Sequence, residues 1–129
     1  MHPFLAVLLI MGLLDYVWLG HVQRPWVRRK IAELNSGAEI DHQAWTFLAV
    51  YLLMAGALYR FVVSKAGQKP LAEVAAEAAF LGLAIYTTFD FTMLNLTSKW
   101  TMGDALMDIA WGTSMFAVTA VLAVKLTRK

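Results

Sequence analysis

A chain of 129 residues with a formal net charge of +2 is long enough for one compact domain. Hydrophobic residues make up 60% of it, well above the roughly 45–50% of soluble domains, which predicts a polytopic membrane protein. Because its 11 basic residues form no basic face, the charge does not predict nucleic-acid binding. The absence of cysteine excludes disulfides, thiol nucleophiles and thiolate metal sites.

Four apolar runs are each long enough, at about 20 residues, to cross a hydrocarbon core as a helix. They lack the alternation of polar and apolar residues that a membrane β-barrel needs. The first run has no basic residue before it and no cleavage site after it, so we expect it to be retained. We therefore predict an all-α integral membrane bundle, one domain over 1–129, with transmembrane helices at about 3–22, 44–64, 73–96 and 104–126.

The loop between the first two spans contains a short amphipathic segment. Pro25 favours a first helical turn, and Val27, Ile31 and Leu34 share one face of the helix that follows. The basic run 28–30 accompanies that apolar face, and an Asn-Ser-Gly sequence ends the segment. These features predict a short interfacial helix on the membrane surface. A loop helix that covers the mouth of the bundle is an equal alternative.

Antiparallel spans place the candidate functional residues in one half of the bilayer. The ends of the first and third spans lie on the same side as the starts of the second and fourth. Asp15, Asp90 and Asp108 therefore share that half, whichever way the protein inserts. The same half also holds His21, Asn95, Lys99 and Asp104, together with the five tryptophans, Trp18, Trp26, Trp45, Trp100 and Trp111.

Carboxylates within a span predict a pocket inside the bundle. Each acid near the bilayer centre costs about 2.5–3.5 kcal/mol, so it should face the interior, stay neutral, pair, or hold a cation. Neutral aspartates that only join helices, and tryptophans that form only an interfacial belt, remain the structural alternatives. The predicted ligand-binding set is Asp15, Trp18, Tyr86, Asp90, Asp108 and Trp111, with His21, Asn95 and Asp104 in support.

Three motifs are similar to those of a known family: LDYVWLG in the first span, YxxxDFT in the third and DIAWGT in the fourth. With Trp100, they resemble the bacterial membrane family catalogued as domain of unknown function twenty-one seventy-seven, over essentially the whole chain. The resemblance implies a small multi-pass inner-membrane protein with four spans and no particular activity. The family usually has an asparagine at the position of Met93, whereas this chain has Asn95. The residues carried over are Asp15, Trp18, Tyr86, Asp90, Asp108 and Trp111.

The acids and indoles favour a protein that binds or moves a proton, a cation or a cationic amphiphile. Oxygen ligands from Asp15, Asp90 and Asp108 would suit Mg, Ca or Mn, so a divalent cation is the candidate cofactor. The expected partners are the lipid bilayer and, for transport, further copies of the chain. The alternatives are a lipid-modifying membrane enzyme and a structural or accessory subunit of a membrane complex. Because no HExxH, GxSxG or DxxD-type motif occurs, an enzyme is less favoured.

The distribution of basic residues gives a small preference for cytoplasmic termini. By the positive-inside rule, the side with more lysine and arginine faces the cytoplasm. The terminal side has six such residues and the other side five. Those on the terminal side are Arg60, Lys65, Lys69, Lys125, Arg128 and Lys129. Those on the other side are Arg24, Arg28, Arg29, Lys30 and Lys99.

Overall fold

The computed structural model describes residues 1–35 and 44–128. Within these ranges the chain forms helices and no strand. A π-helical turn, Trp18–Val22, continues the first helix, and a 3₁₀ turn, Val63–Lys65, follows the third. The α-helices are α1, Pro3–Val17; α2, Arg24–Leu34; α3, Ala44–Phe61; α4, Leu71–Leu96; and α5, Met102–Thr127.

Four of these helical segments are long and apolar enough to cross a membrane. They are Pro3–Val22, Trp45–Lys65, Leu71–Leu96 and Met102–Thr127. The predicted all-α bundle of four membrane helices is therefore confirmed. The third and fourth spans each begin two residues earlier than predicted, because Pro70 and Thr101 take extended conformations and start the helices there.

Helix α5 lies at the centre of the bundle. It is the most buried span, at 44%, against 22% or less for each of the others. Helix α4 packs along α5, while α1 packs between α5 and α3. The order across the bundle is thus α3, α1, α5, α4. Large apolar side chains cover the outer surfaces, as helices embedded in lipid require.

Glycine permits the close crossing of α4 and α5. A Cβ atom on Gly82 would lie 2.8 Å from the carbonyl oxygen of Gly112 and 2.8 Å from Cβ of Phe116. A Cβ atom on Gly112 would collide with the ring of Tyr86. Small residues at helix crossings are the usual means of close packing in lipid. Here they let the Tyr86 ring lie directly on the backbone of α5.

The helix predicted in the first loop is present, and it covers the mouth of the bundle. Lys30, at 6% exposure, points inward and not toward solvent. Its Nζ lies 2.6 Å from Oδ2 of Asp104 and donates to the carbonyl oxygen of Lys99 at 2.8 Å. The indole of Trp26 donates to Oδ1 of the same Asp104 at 2.9 Å. These bonds hold α2 on the turn between α4 and α5, as the second of the two interpretations predicted.

Candidate functional site

Asp15 joins three transmembrane helices. Its side chain leaves α1, is 4% exposed, and accepts two hydrogen bonds. The hydroxyl of Tyr51 on α3 donates to Oδ2 at 2.6 Å, and the indole of Trp111 on α5 donates to Oδ1 at 2.8 Å. The two bonds therefore tie α1 to α3 and to α5 at one side chain.

Trp18 supports this arrangement from the side. Its ring stacks on Trp111 with centroids 4.6 Å apart and an interplanar angle of 7°. Trp18 begins the π-helical turn, in which the Gln23 N–H donates to the Trp18 carbonyl oxygen at 2.7 Å. π-Helical turns are frequent at functional sites, where they re-aim one side chain. Here the turn comes directly after the helix segment that carries Asp15.

Asp90 is completely buried between α4 and the turn that follows it. The indole of Trp100 donates to its Oδ1 at 3.1 Å. Its Oδ2 has no hydrogen-bond partner among the described residues, although the carboxyl group of Asp108 is close enough to interact with Asp90 directly. A buried acceptor without a donor is costly, and a proton between the two carboxyl groups would satisfy it.

Asp104 is the third residue of α5 and belongs to its N-terminal capping box. It forms a reciprocal capping box with Thr101, in which each residue's side chain accepts the other's backbone N–H at 3.0 Å. Trp26 and Lys30 complete its hydrogen bonding. The hydrogen bond to Asp104 raises the pKa of the Lys30 ammonium above its ordinary value. Asp104 therefore stabilises the mouth of the bundle.

One pattern connects these aspartates. Each accepts the N–H of a tryptophan that is distant in sequence or on another element: Asp15 from Trp111, Asp90 from Trp100 and Asp104 from Trp26. Asp108 is different. Within the described part of the chain no tryptophan or tyrosine donates to it, and it interacts with Asp90 and, through space, with Asp15.

Asp108 and Asp15 both line a cavity of about 470 Å³. The cavity lies where α1 and α5 form the floor and α3 and α4 form the two sides. No lysine, arginine or histidine is among its lining residues, and five of those residues are aromatic. The lining residues are Asp15, Leu19, Phe47, Val50, Tyr51, Leu53, Met54, Ile85, Tyr86, Phe89, Asp108 and Trp111.

Four of the six predicted site residues line this cavity: Asp15, Tyr86, Asp108 and Trp111. The other two lie directly behind it, since Trp18 stacks on Trp111 and Asp90 interacts with Asp108. Helical spacing from the DIAWGT motif indicated that Asp108 and Trp111 would share a face, and both side chains reach the cavity.

The supporting candidates lie elsewhere. His21 is exposed and packs edge-on against Tyr16, with ring centroids 5.0 Å apart. Asn95 is also exposed, and its amide donates to the Phe91 carbonyl oxygen one turn earlier in α4. Asp104 caps α5 at the mouth. None of the three is a lining residue of the cavity.

Tyr51 is the main site residue that the sequence did not indicate. It lies in the middle of an almost uniformly apolar span, where one tyrosine resembles ordinary core filling. The available signal was its hydroxyl, because a buried tyrosine usually requires a hydrogen-bond partner. Asp15 provides that partner.

Within 1–35 and 44–128, no group of three or more histidine, aspartate or glutamate side chains is arranged to hold a metal ion. Tryptophan N–H groups already donate to one oxygen of Asp15 and to one oxygen of Asp90.

Four apolar helices with acids directed inward define a polytopic integral membrane protein embedded in lipid. A family model described as "Predicted membrane protein (DUF2177)" matches residues 1–125. The chain belongs to this family, as the three motifs indicated. No curated protein and no solved structure matches the chain.

Proposed function

We propose that the cavity binds a cationic amphiphile, with its ammonium head beside Asp108 and its hydrocarbon part against α3 and α4. One observation carries this proposal: a cavity with almost entirely apolar and aromatic walls contains two carboxyl groups and no basic lining residue. A hydrocarbon chain suits the walls, and a positive charge suits the acids.

The size and the location of the cavity support an amphiphile. Its volume of about 470 Å³ is within the range of about 300–1,000 Å³ that small-molecule sites occupy. Phe47 and Leu53 on α3 and Phe89 on α4 are each more than half exposed, at 64%, 74% and 52%. These side chains face lipid in the membrane. A ligand that already resides in the bilayer would therefore enter between α3 and α4.

The aromatic lining supports a cationic head. Tyr51, Tyr86 and Trp111 surround the acids, and the faces of such rings attract ammonium groups by about 0.5–2 kcal/mol each. A divalent metal needs several converging oxygen ligands, whereas no group of three or more such residues converges within the described part of the chain. An amine makes fewer geometric demands, since one carboxylate and aromatic faces are sufficient to hold it.

The two lining acids have different parts in this proposal. Asp15 already accepts bonds from Tyr51 and Trp111, so its contribution is to hold the cavity walls together and to add negative potential. Among the described residues, no indole or phenol donates to Asp108, so its carboxylate is available to the ligand. Asp90 lies behind Asp108 and can exchange a proton with it when the ligand arrives or leaves.

The test measures binding of a long-chain alkylamine that carries bromine on its chain, reported by quenching of tryptophan fluorescence in nanodiscs. Trp111 lines the cavity and Trp18 stacks on it, so saturable quenching is expected, and Trp111→Phe should reduce it. Asp108→Asn should weaken binding at least about tenfold, the equivalent of about 1.4 kcal/mol. The matched control is Glu73→Gln, an exposed acid at the other end of the bundle, which should leave binding unchanged.

A brominated alcohol of the same chain length separates the charge from the hydrocarbon. It should bind more weakly than the amine and should not respond to Asp108→Asn. Equal binding of the alcohol and the amine would contradict the proposal, and so would an Asp108→Asn variant that binds like the wild type.

A structural role is the second candidate function, and it concerns only Asp15, Asp90 and Asp104. The indole bonds to Asp15, Asp90 and Asp104 join separate elements of the bundle, as expected of a subunit whose motifs lock helices together. Unfolding measurements on Asp15→Asn and Asp108→Asn separate the two roles. A locking role predicts a large loss of stability for the first variant and a small one for the second.

We propose that the protein lies in the inner membrane with both termini in the cytoplasm, and the small excess of basic residues on the terminal side supports this orientation. In that orientation the mouth covered by α2 faces outward. A reporter enzyme fused after Lys129 tests the orientation, because activity outside the cytoplasm would reverse it. Transport of the ligand, as distinct from binding, would need an assembly of several copies, since one four-helix protomer is small for a transporter.

A further inference from the structure

A second cavity lies at the opposite end of the bundle from the acids. We call it the terminal cavity; its volume is about 240 Å³, and it lies where α1 begins and where α3 and α5 end. Unlike the first cavity, it has a guanidinium group and no carboxylate among its described lining residues. Its lining residues are Pro3, Tyr59, Val63, Ser64, Ala66, Gly67, Val124, Thr127 and Arg128.

The Arg128 side chain is held in position, but one of its N–H donors has no acceptor among the described residues. Its Nη2 donates to the Lys69 carbonyl oxygen at 2.9 Å, which fixes the guanidinium against the loop before α4. Its Nε is shielded from solvent and has no hydrogen-bond partner among the described residues. A shielded donor on a permanently charged group is costly when it lacks an acceptor. Within 1–35 and 44–128, the Nε of this fixed guanidinium is therefore open to an anion.

The surroundings of Arg128 suit a phosphate group. Ser64 and Thr127 bring hydroxyl oxygens to the cavity; both hydroxyls now donate to carbonyl oxygens one turn earlier. Gly67 has a positive φ of 50°, and a Cβ atom placed on it would have no neighbour within 4 Å, so the space beside it is open. Planar guanidinium groups match phosphate oxygens in charge and geometry.

The charge at this end of the bundle favours an anion as well. Arg60, Lys65 and Lys125 lie near the same end as Arg128, whereas Lys69 is paired with Glu77 at 3.0 Å. The cavity lies at the ends of membrane-spanning helices, the depth at which lipid headgroups carry their phosphates.

We propose that the terminal cavity binds a phosphate group through Arg128. The source of the phosphate is either the headgroup of an anionic phospholipid or inorganic phosphate. This site is independent of the amphiphile cavity, which lies in the other half of the bilayer, and each can fail without the other.

The test is native mass spectrometry of the full-length protein released from detergent, with three probes. They are phosphatidylglycerol, a diacylglycerol with the same acyl chains but no phosphate, and inorganic phosphate. The wild type should retain one phosphatidylglycerol and no diacylglycerol. Arg128→Gln should weaken that binding about ten- to a hundredfold, the loss expected for a hydrogen bond to a charged group.

Arg60→Gln is the matched control, because Arg60 is a basic residue at the same end that is exposed and does not line the cavity. It should leave the phosphatidylglycerol adduct unchanged. Competition by inorganic phosphate at millimolar concentration would assign the site to free phosphate, and its absence would assign it to the lipid. Equal loss in both variants, or equal retention of phosphatidylglycerol and diacylglycerol, would overturn the proposal.

A measurement on the wild type keeps the test decisive if Arg128→Gln does not fold. Phosphatidylglycerol or inorganic phosphate should raise the midpoint of thermal unfolding in detergent, because a ligand that binds only the folded state stabilises it. Diacylglycerol should not. A midpoint that does not respond to either phosphate probe would also overturn the proposal.

Discussion

Lys30→Met keeps the length of the side chain but removes the charge that holds α2 on the bundle. Lys30 is 6% exposed, and its Nζ lies 2.6 Å from Oδ2 of Asp104 and 2.8 Å from the carbonyl oxygen of Lys99. Methionine can fill the same space against Trp100, whose ring centroid is 5.9 Å from Nζ. The substitution therefore tests the polar bonds with little change in packing.

The expected loss of free energy in Lys30→Met depends on which hydrogen bonds the former partners of Lys30 keep. Breaking a buried ion pair costs about 3–5 kcal/mol when it leaves the other charge uncompensated. Asp104 keeps the N–H groups of Trp26 and Thr101, so its carboxylate is not left without donors. The loss should therefore lie at the lower end, about 3 kcal/mol. The loss of stability should affect mainly the docking of α2. Outside α2, Lys30 bonds to Lys99 in the turn before α5 and to Asp104 in the first turn of α5.

Hydrogen exchange measures this local opening. Backbone amides of 24–34 should lose protection about a hundredfold in Lys30→Met, since each factor of ten corresponds to about 1.4 kcal/mol. Arg29→Met is the matched control: its side chain is 63% exposed and reaches Glu33 at only 3.7 Å, so a change below about 1 kcal/mol is expected. Equal protection in the two variants would refute the view that Lys30 fastens α2.

Three further predictions concern stability. Trp111→Phe keeps an aromatic ring but removes the N–H donated to Asp15, so the free energy of unfolding in micelles should fall by about 1.5–3 kcal/mol; no loss would show that the bond is dispensable. Gly82→Ala should cost about 1–3 kcal/mol by forcing α4 away from α5, whereas Gly12→Ala, where a Cβ atom would meet nothing within 4 Å, should cost nothing. The pKa of Lys30 is raised above 10.5 by Asp104, so protection of α2 should be fully present at lower pH and should be lost as pH rises through that raised value; a loss near pH 8 would contradict this.

The fold was predictable because hydrophobic runs of the length of a bilayer have few alternatives in lipid. The half of the bilayer that contains the acids was predictable too, since antiparallel helices bring Asp15 and Asp108 to the same side. Neither inference required knowledge of how the helices pack. The short helix in the first loop was likewise marked by Pro25 and by its amphipathic pattern.

The partners of each acid could not be predicted, because they depend on helix rotation and order across the bundle. Spacing along one helix placed Asp15 beside Trp18, yet its hydrogen bonds go to Tyr51 and Trp111 on two other helices. Asn95 carries the right chemistry, but it lies on the outer face of α4 and bonds to its own helix. Sequence spacing determines neighbours within a helix, whereas packing between helices determines the site.

The aspartate–indole pairs also change how the acids should be ranked. From the sequence, Asp15, Asp90 and Asp108 were equivalent candidates for a ligand. In the structure, an indole N–H occupies one oxygen of Asp15 and one of Asp90, and such bonds stabilise a carboxylate inside a membrane without any ligand. Within 1–35 and 44–128 no indole donates to Asp108, which lines the cavity, so its carboxyl group is left to interact with Asp90 and with whatever enters the cavity. If one acid was retained for a ligand and not for the fold, the geometry points to Asp108. The direct consequence would be an Asp108→Asn variant that folds as well as the wild type but binds the alkylamine at least about tenfold more weakly.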